Sequence, residues 1–339
     1  MINRRLPAEW EPQSAVQLTW PHEESDWADD MDIVVPCFVA IAREVLKRQK
    51  LVVVCKDSEA VRKQISSESA NLILAELPTN DTWARDHGAI SIEEGGKPVL
   101  LDFVFNGWGL KFAADKDNLI SGRLHKKGIF GKVPMRHAGL AFEGGSFESD
   151  GEGTLLTTTE CLLSPNRNPH LSQSEVEDKL KELFGVKKVL WLNNGYLAGD
   201  DTDSHIDTLA RLVPGNKILY VKCDDTADEH YQALKKMEAE LQNLTNSNGT
   251  PYDLIPLPMA DVAFDDEGNR LPATYANYLI INGAVLVPFY NSPKDKEAAA
   301  IIQRAFPQHE IVGIDCRPLI LQHGSLHCVT MQYPVGVVV

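Results

Sequence analysis

Local patterns recur in a fixed order along the chain, and this recurrence limits the fold more than any other feature. Four stretches are typical of β-hairpins, because each has a β-rich run, a turn containing glycine and a second β-rich run. The turn glycines are Gly95, Gly151, Gly215 and Gly283, so the intervals between turns are 56, 64 and 68 residues. Regular spacing of this kind predicts a radial or stacked repeat architecture rather than one open sheet.

Between the hairpins lie helical patterns, each followed by a short apolar strand. The clearest are "SEAVRKQISS" before "LILAEL", "QSEVEDKLKELFG" before "VKKVLWL", "DEHYQALKKMEAELQNL" before "YDLIPL", and "KDKEAAAIIQRAF" before "EIVGIDC". Residues 113–137 fit the same position less clearly. Because a fifth hairpin turn is not visible, we predict that the strand after Cys328 pairs with the N-terminal "AVQLTWP" and closes the ring, which removes exposed sheet edges.

The composition excludes several classes of protein. A chain of 339 residues, 43% of them hydrophobic, can bury a large core as two ordinary domains or one large α/β assembly. No stretch has the pattern of a signal peptide or a membrane span, so we predict a soluble, cytoplasmic protein without a membrane partner. The six cysteines are scattered without a C-x-x-C pair, which disfavours a zinc ribbon or a disulfide framework.

The charge balance indicates what the protein binds. There are 33 Lys and Arg residues against 48 Asp and Glu residues, a net charge of −15. Such a charge repels nucleic acid and anionic lipid, so we expect no nucleic-acid partner. It favours a small cationic ligand only weakly, because many proteins are acidic for solubility alone.

Titratable residues precede three of the four hairpins at similar distances. Asp86 lies 9 residues before Gly95, Glu143 lies 8 before Gly151, and His205 and Asp207 lie 10 and 8 before Gly215. If the modules surround an axis, these loops converge at one end of a central channel, and the fifth module supplies Cys328.

Each of these loops also has a simpler interpretation. An Arg-Asp pair before a glycine, as at Arg85 and Asp86, is often only a loop ion pair or an Asx turn. The nearby Trp83 nevertheless suits a flat cation, which an indole face attracts while a carboxylate accepts its N–H groups. Glu143 before two glycines is equally well explained as a solvated residue in a turn that needs backbone freedom.

The segment "LAGDDTDSHIDTLARL" is the richest in functional groups. Its aspartates, Asp200, Asp201 and Asp203, together with His205, could cap an element or hold a divalent metal. On an extended backbone His205 and Asp207 would point to the same face, which suits a proton carrier beside a cation-binding carboxylate. The metal alternative is less favoured, because no second histidine stands at ligand spacing and no H-E-x-x-H motif occurs.

The remaining candidates are weaker. Trp108 in "FNGWGLKF" could line a pocket or simply pack in the core. His327 adjoins Cys328, and adjacent residues of a strand face opposite ways, so we interpret it as a flanking residue. The other cysteines lie in or near apolar runs, where burial is the usual explanation.

Together these motifs resemble those of the agmatine deiminase and bacterial peptidylarginine deiminase family, within the guanidino-group-modifying superfamily. The resemblance covers nearly the whole chain and runs in order through "LPAEWEPQSAVQLTWPH", "NDTWARDHGAI", "FNGWGLKF", "FEGGSFES", "DDTDSHIDTLARL" and "GSLHCVT". It implies one catalytic domain over residues 1–339 with the pentein fold, a five-bladed α/β propeller of pseudo-fivefold repeats. It also implies a homodimer and no cofactor or metal.

The resemblance assigns a role to each convergent residue. It implies Cys328 as nucleophile, His205 as general acid and base, Glu143 as the partner of His205, and Asp86 and Asp207 as guanidinium ligands. Two departures concern the substrate: many agmatine deiminases have a longer glycine run before the cysteine than "HGS", and a glycine where this chain has Ser204.

The expected reaction is hydrolytic deimination of a guanidine through a covalent thiouronium on Cys328, with agmatine giving N-carbamoylputrescine and ammonia. The candidates for the distal amine are Asp200, Asp201 and Asp203, with Trp83 and Trp108 as apolar walls. Peptidyl or free arginine is the alternative substrate, although no cation stands out for an α-carboxylate. A divalent-metal hydrolase using "DDTDSHID" with Glu143, or a non-catalytic polyamine-binding protein, is the alternative of another class, and neither would need Cys328.

Overall fold

The computed structural model describes residues 3–338, and the strands within that range form five sheets. In chain order the strands are β1 (Arg4–Arg5), β2 (Gln13–Thr19), β3 (Lys50–Cys55), β4 (Leu72–Glu76), β5 (Ile90–Glu94), β6 (Lys97–Val104), β7 (Met135–Ala141), β8 (Phe147–Ser149), β9 (Thr154–Thr158), β10 (Lys188–Leu192), β11 (Ala210–Val213), β12 (Lys217–Lys222), β13 (Asp253–Pro258), β14 (Leu279–Ile281), β15 (Ala284–Phe289), β16 (Glu310–Asp315) and β17 (Thr330–Pro334).

Helices of one to four turns connect these strands. They are α1 (Met31–Leu46), α2 (Ser58–Ile65), α3 (Ala84–His87), α4 (Gly107–Leu110), α5 (Ile120–Lys126), α6 (Thr159–Leu162), α7 (Gln173–Phe184), α8 (Tyr231–Leu241), α9 (Lys294–Ala305) and α10 (Arg317–Ile320). Over the part of the chain that the structure describes, every helix is too short or too polar to cross a membrane.

One unit is repeated in all five sheets. Two antiparallel strands are followed by a helix and then by a third strand, parallel to the second. The antiparallel pairs are β5 with β6, β8 with β9, β11 with β12, β14 with β15, and β17 with β2. The parallel third strands are β7, β10, β13, β16 and β3. The α/β repeat predicted from the hairpin spacing is therefore present.

The predicted pairing of the two ends of the chain is confirmed. Strand β17 lies antiparallel to β2, with Thr330 opposite Leu18 and Tyr333 opposite Ala15. The chain thus completes its fifth unit by joining its last strand to its first long strand. Cys328 lies two residues before this pairing begins, so the terminal sheet determines its position.

Local sequence explains the boundaries of the connecting helices. Helix α7 begins with a capping box, in which Ser172 and Glu175 satisfy each other's backbone N–H groups. It ends at Gly185, where φ is +71° and an added Cβ would lie 2.1 Å from the carbonyl oxygen of Arg4. Only glycine fits both that conformation and that contact. The helix of the 113–137 region, α5, has seven residues, which explains its weak sequence pattern.

The core lies between the helices and the sheets. Helix α7 buries Val176, Leu180 and Phe184, which are spaced four residues apart along one face. That face packs in a hydrophobic cluster with Leu155 and Val189 of the adjacent sheet. Because packing fixes each sheet against its helix, the loops at the ends of the strands are held in place.

Candidate active site

Gly145 indicates how closely three of the predicted catalytic side chains meet. A Cβ added there would lie 2.5 Å from His205 Nδ1, 3.0 Å from Asp86 Oδ1 and 3.1 Å from Asp207 Oδ2. The N–H of Gly145 also donates to Asp86 Oδ1 at 3.0 Å. The loops of three successive units therefore converge at a point where only glycine leaves enough space.

A cleft of about 460 Å³ opens beside this point. Five of the residues predicted to form the site line it: Trp83, Asp86, Trp108, Asp201 and Cys328. The other lining residues are Asp26, Asp81, Phe112, Thr202, Gln322, His323 and Gly324. The cleft thus combines a thiol, two tryptophans and four carboxylates.

Asp86 lines the cleft, is buried, and is held by two donors. Besides the N–H of Gly145, Trp108 Nε1 donates to its Oδ2 at 2.9 Å. Trp108 reaches it from a turn in which residues 107–110 all have positive φ, a conformation that Gly107 and Gly109 permit. Burial raises the pKa of Asp86 well above its usual value, and the charge of Asp207 adds to this effect.

Asp207 presents one occupied and one free oxygen. Its Oδ2 accepts a hydrogen bond from His327 Nδ1 at 2.7 Å, whereas its buried Oδ1 has no partner within residues 3–338. Burial, the largest single influence, would raise the pKa of Asp207, but the hydrogen bond from His327 and the charges of His327, His205 and Arg211 together outweigh it, and the pKa lies below its usual value. A buried carboxylate oxygen without a donor is suited to accept the N–H of a ligand.

His205 is completely buried beside these carboxylates. Its Nδ1 lies 3.6 Å from Asp86 Oδ1, and neither ring nitrogen has a hydrogen-bond partner among the described residues. Burial lowers the pKa of His205 to about 3, so the imidazole is neutral near pH 7 in the empty site. Residues 206–208 form a 3-10 turn, so the predicted extended backbone is wrong, although His205 and Asp207 do converge.

Glu143 pairs with an arginine that the sequence did not point to. Arg167 Nε donates to both of its carboxylate oxygens, at 2.9 and 3.0 Å, and both side chains are buried. The expected hydrogen bond between Glu143 and His205 is absent, because a buried carboxylate is best satisfied by a charged donor. Arg167 lies in "SPNRNPH", a loop without a recognisable motif.

Cys328 is 4% exposed, and its sulfur faces a hydrogen-bond acceptor. Its Sγ lies 3.4 Å from Asn277 Oδ1, which also accepts from the backbone N–H of His327 at 2.9 Å. Burial raises the pKa of Cys328 well above its usual value, and the charges of Asp207 and Asp86 act in the same direction. The empty site therefore holds a thiol rather than a thiolate.

The structure corrects part of the predicted amine site. Asp201 lines the cleft, but Asp200 and Asp203 do not. Asp200 accepts from the backbone N–H of Ser204 at 2.7 Å and braces its own loop. Asp203 is neutralised by Lys111 Nζ and Arg167 Nη1, each at 2.6 Å. Two aspartates nearer the start of the chain, Asp26 and Asp81, line the cleft instead and were missed.

The interpretation of His327 as a flanking residue is also wrong. It is 1% exposed and bonds to Asp207 on one side and Glu9 on the other, each at 2.7 Å. The argument from strand alternation failed because β17 begins only at Thr330.

The proposed divalent-metal alternative finds little support in the donor set. Potential ligand atoms of Glu143, Cys161 and His205 lie within 4.8 Å of one another. However, Arg167 occupies both oxygens of Glu143, so a metal cation would compete with a guanidinium. The aspartates of "DDTDSHID" do not belong to this cluster.

Comparisons with known proteins identify the class to which this fold and site belong. A dimethylarginine dimethylaminohydrolase superposes with a TM-score of 0.50 over 95% of this chain and all of that chain, at 11% identity, a likeness of fold alone. Together with the solved deiminases below, it shows an α/β pentein fold. The family model of Porphyromonas-type peptidyl-arginine deiminases matches residues 5–334, and the chain belongs to this family.

Three relatives are similar over nearly their whole length. A provisionally named arginine deiminase from Porphyromonas gingivalis is 55% identical, with a TM-score of 0.96 and coverage of 99% of this chain and 100% of that one. A substrate-bound cysteine-to-serine variant of C. jejuni agmatine deiminase is 38% identical, with a TM-score of 0.91 and coverage of 97% and 96%. Agmatine deiminase of Pseudomonas aeruginosa (strain LESB58) is 32% identical, covering 97% and 95%.

Proposed function

We propose that the protein hydrolyses agmatine to N-carbamoylputrescine and ammonia through a covalent intermediate on Cys328. The observation that carries this proposal is the cleft itself, in which the Cys328 thiol and the Asp86 carboxylate face the same space. The relatives named agmatine deiminase, at 38% and 32% identity over nearly the full length, support the same reaction.

Asp86 and Asp207 bind the guanidinium. A guanidinium presents planar N–H donors that match carboxylate oxygens, and the free Oδ1 of Asp207 is available to accept one of them. In the empty site the pKa of Asp86 is raised and that of Asp207 is lowered. The proton that the pair holds most readily is therefore on Asp86, and a bound cation favours ionisation of both carboxyl groups.

Binding of the cation also prepares the nucleophile. In the empty site the proton resides on Cys328, and His205 is neutral. A guanidinium beside the sulfur stabilises the thiolate, and the proton passes to His205. The substrate charge thus offsets the repulsion that Asp86 and Asp207 exert on the thiolate.

The chemical steps follow from these protonation states. The Cys328 thiolate attacks the guanidinium carbon to form a C–S bond, and the C–N bond to the terminal nitrogen breaks as His205 donates its proton, releasing ammonia. The S-alkylthiouronium remains on Cys328. Neutral His205 then removes a proton from water, which attacks the same carbon, and collapse breaks the C–S bond to give the ureido product.

Glu143 supports His205 through charge rather than through a direct hydrogen bond. Its carboxylate lies close to His205 but is bound by Arg167. A carboxylate near the imidazole favours the protonated form that the first step requires, and Arg167 moderates that effect.

The carboxylates of the cleft other than Asp86 suit the distal ammonium of agmatine. They are Asp201, Asp81 and Asp26, and Trp83 and Trp108, with ring centroids 6.4 Å apart, form walls for the four-carbon chain. Among the described residues that line the cleft there is no lysine or arginine to bind an α-carboxylate. Agmatine is therefore favoured over free arginine.

The experiment is to supply the purified protein with agmatine, free arginine or a blocked arginine peptide, with and without a chelator, and to assay ammonia and ureido product. We expect turnover of agmatine that the chelator does not change. Turnover of the peptide alone, or of free arginine alone, would support the same chemistry with a different substrate. Peptidyl arginine is the substrate that the name of the family suggests. Loss of activity with chelator would contradict the thiol mechanism.

The finer architecture is part of this proposal. Five repeated units and the pairing of β17 with β2 support a single catalytic domain over residues 1–339 shaped as a closed five-bladed propeller. A homodimer remains a prediction of the family resemblance, and light scattering would test it.

A further inference from the structure

A network of buried, hydrogen-bonded side chains holds Asp207 in place. His327 lies between two carboxylates, with Nδ1 2.7 Å from Asp207 Oδ2 and Nε2 2.7 Å from Glu9 Oε2. All three side chains are at most 9% exposed. Glu9 comes from the N-terminal segment and is 318 residues from His327 in sequence.

The two short contacts of His327 determine how many protons this hydrogen-bonded network holds. A neutral imidazole has one N–H and can donate to only one of the two carboxylates. The second contact needs a further proton, on the ring or on an oxygen. The pKa values of Glu9 and Asp207 are both lowered despite burial, by His327 together with Arg211. The two 2.7 Å contacts favour a proton on each ring nitrogen, which is an imidazolium between two carboxylates.

Other charged groups face His327. Burial, the largest influence, and the guanidinium groups of Arg211 and Arg85 hold the pKa of His327 below its usual value, and the contacts with Glu9 and Asp207 oppose them. Arg211 Nη2 also lies 3.2 Å from His327 Nε2. Nη2 carries two N–H groups, of which one donates to Glu9 Oε2 at the shorter distance of 2.7 Å.

The Glu9 end of this hydrogen-bonded network is rigid. Glu9 Oε1 accepts from the backbone N–H of Ile280 at 2.7 Å. Arg211 is further fixed by Glu148 at 2.5 Å and by the carbonyl oxygen of Tyr278 at 2.6 Å. Buried charges with complete hydrogen bonding hold a single geometry.

We propose that His327, anchored by Glu9, is a positioning residue for deimination: it holds Asp207 ionised through Oδ2 and leaves the unpartnered Oδ1 to accept from the guanidinium. This inference rests on the proposed function and extends it to residues that touch neither the substrate nor the sulfur. It explains why Asp207 is ionised in the empty site although Asp86 lies close by.

Two substitutions test the contacts of the two ring nitrogens of His327 separately. The amide nitrogen of asparagine stands roughly where Nδ1 stood, so His327→Asn keeps a donor to Asp207. The amide of glutamine reaches the position of Nε2, so His327→Gln keeps the contact with Glu9 and loses Asp207. We expect His327→Gln to lower kcat/KM for agmatine about 100-fold and His327→Asn to recover about tenfold of that loss.

A third variant tests the charge. In Glu9→Gln a neutral His327 can still donate to Asp207 and accept from the glutamine amide, so the geometry survives without the imidazolium. Asp207 then loses its stabilising charge and its pKa rises. We expect the acid limb of the pH profile of kcat/KM to move to higher pH. An unchanged acid limb would contradict the charged form of His327.

An alkylation assay that does not require turnover tests this proposal independently of the proposed function. The alkylation rate of Cys328 by 2-chloroacetamidine, a cation, is divided by the rate with neutral 2-chloroacetamide, using mass spectrometry of the Cys328 peptide. We expect the wild type to prefer the cation and His327→Gln to lose at least tenfold of that preference. If the wild type has no preference, the guanidinium site fails and this inference with it.

The control is another buried histidine paired with a carboxylate. His230 bonds to Asp228 at 2.7 Å and accepts from the N–H of Ala198 at 2.8 Å, and it does not line the cleft. His230→Gln should lower thermal stability as the His327 variants do, without changing the alkylation ratio. A wild-type ratio and a kcat/KM within threefold of wild type in His327→Gln would overturn the proposal, as would equal losses in the glutamine and asparagine variants.

Discussion

Replacing Gly145 by alanine is predicted to disable the site while leaving the fold intact. The added Cβ would lie 2.5 Å from His205 Nδ1, whereas ordinary contacts begin at 3.4 Å. The difference, 3.4 − 2.5, is 0.9 Å, and His205, Asp86 or Asp207 must move by about that distance. A misplacement of about 1 Å at reacting groups can cost on the order of 100-fold in rate, so we expect kcat/KM for agmatine to fall by at least that factor.

The assay compares Gly145→Ala with Gly122→Ala. Gly122 lies in helix α5, and within 4 Å its added Cβ would meet, among the described residues outside the backbone of its own helix, just Asp102 Oδ2 at 3.8 Å. This control should retain wild-type kinetics and gain up to about 1 kcal/mol of stability, because alanine is the better helix former. Both proteins are first checked for a cooperative thermal transition. A Gly145→Ala enzyme that folds and retains kcat/KM within threefold of wild type would refute the convergence of His205, Asp86 and Asp207 at this point.

Three further predictions concern two residues of the cleft, Trp108 and Asp201, and the buried His87. Trp108→Phe removes the donor to Asp86 and should lower kcat/KM for agmatine about tenfold, while an unchanged value would show that this bond is dispensable. Asp201→Asn should raise KM for agmatine several-fold with kcat nearly constant; equal KM values would exclude it from the amine site. His87 is buried with a pKa lowered to about 3, so the unfolded state, with a pKa of about 6.5, binds the proton first and stability falls as pH drops below 6.5. His87→Gln should therefore remove about 2 kcal/mol of the stability difference between pH 7 and pH 5 in urea unfolding, and an unaltered difference would contradict a neutral His87.

The repeated unit could be predicted from sequence because its signals are local. A turn glycine such as Gly95 or Gly283 needs positive φ, and the runs on either side fit strands. The loops that carry Asp86 and Cys328 followed from the position of each hairpin in its unit. Repetition made these local signals sufficient for the topology, including the pairing of β17 with β2.

The partners of the catalytic groups could not be predicted, because they depend on contacts between distant units. Arg167 reaches Glu143 from a loop without a motif, and Glu9 meets His327 across almost the whole chain. Which aspartate faces the cleft was equally hidden, since Asp200 and Asp201 are adjacent and only the folded loop turns one inward. Packing of one unit against the next determines such contacts, and the periodic pattern of the sequence does not predict how the units pack.

The most direct test of the account is an acid-quenched mass spectrum of the protein during turnover of agmatine. The account predicts an adduct with the mass of agmatine less ammonia on the peptide that contains Cys328, and neither adduct nor ammonia release in a folded Cys328→Ala variant. Steady ammonia release from Cys328→Ala, or turnover by the wild type with no adduct at Cys328 at any quench time, would contradict covalent catalysis at this thiol.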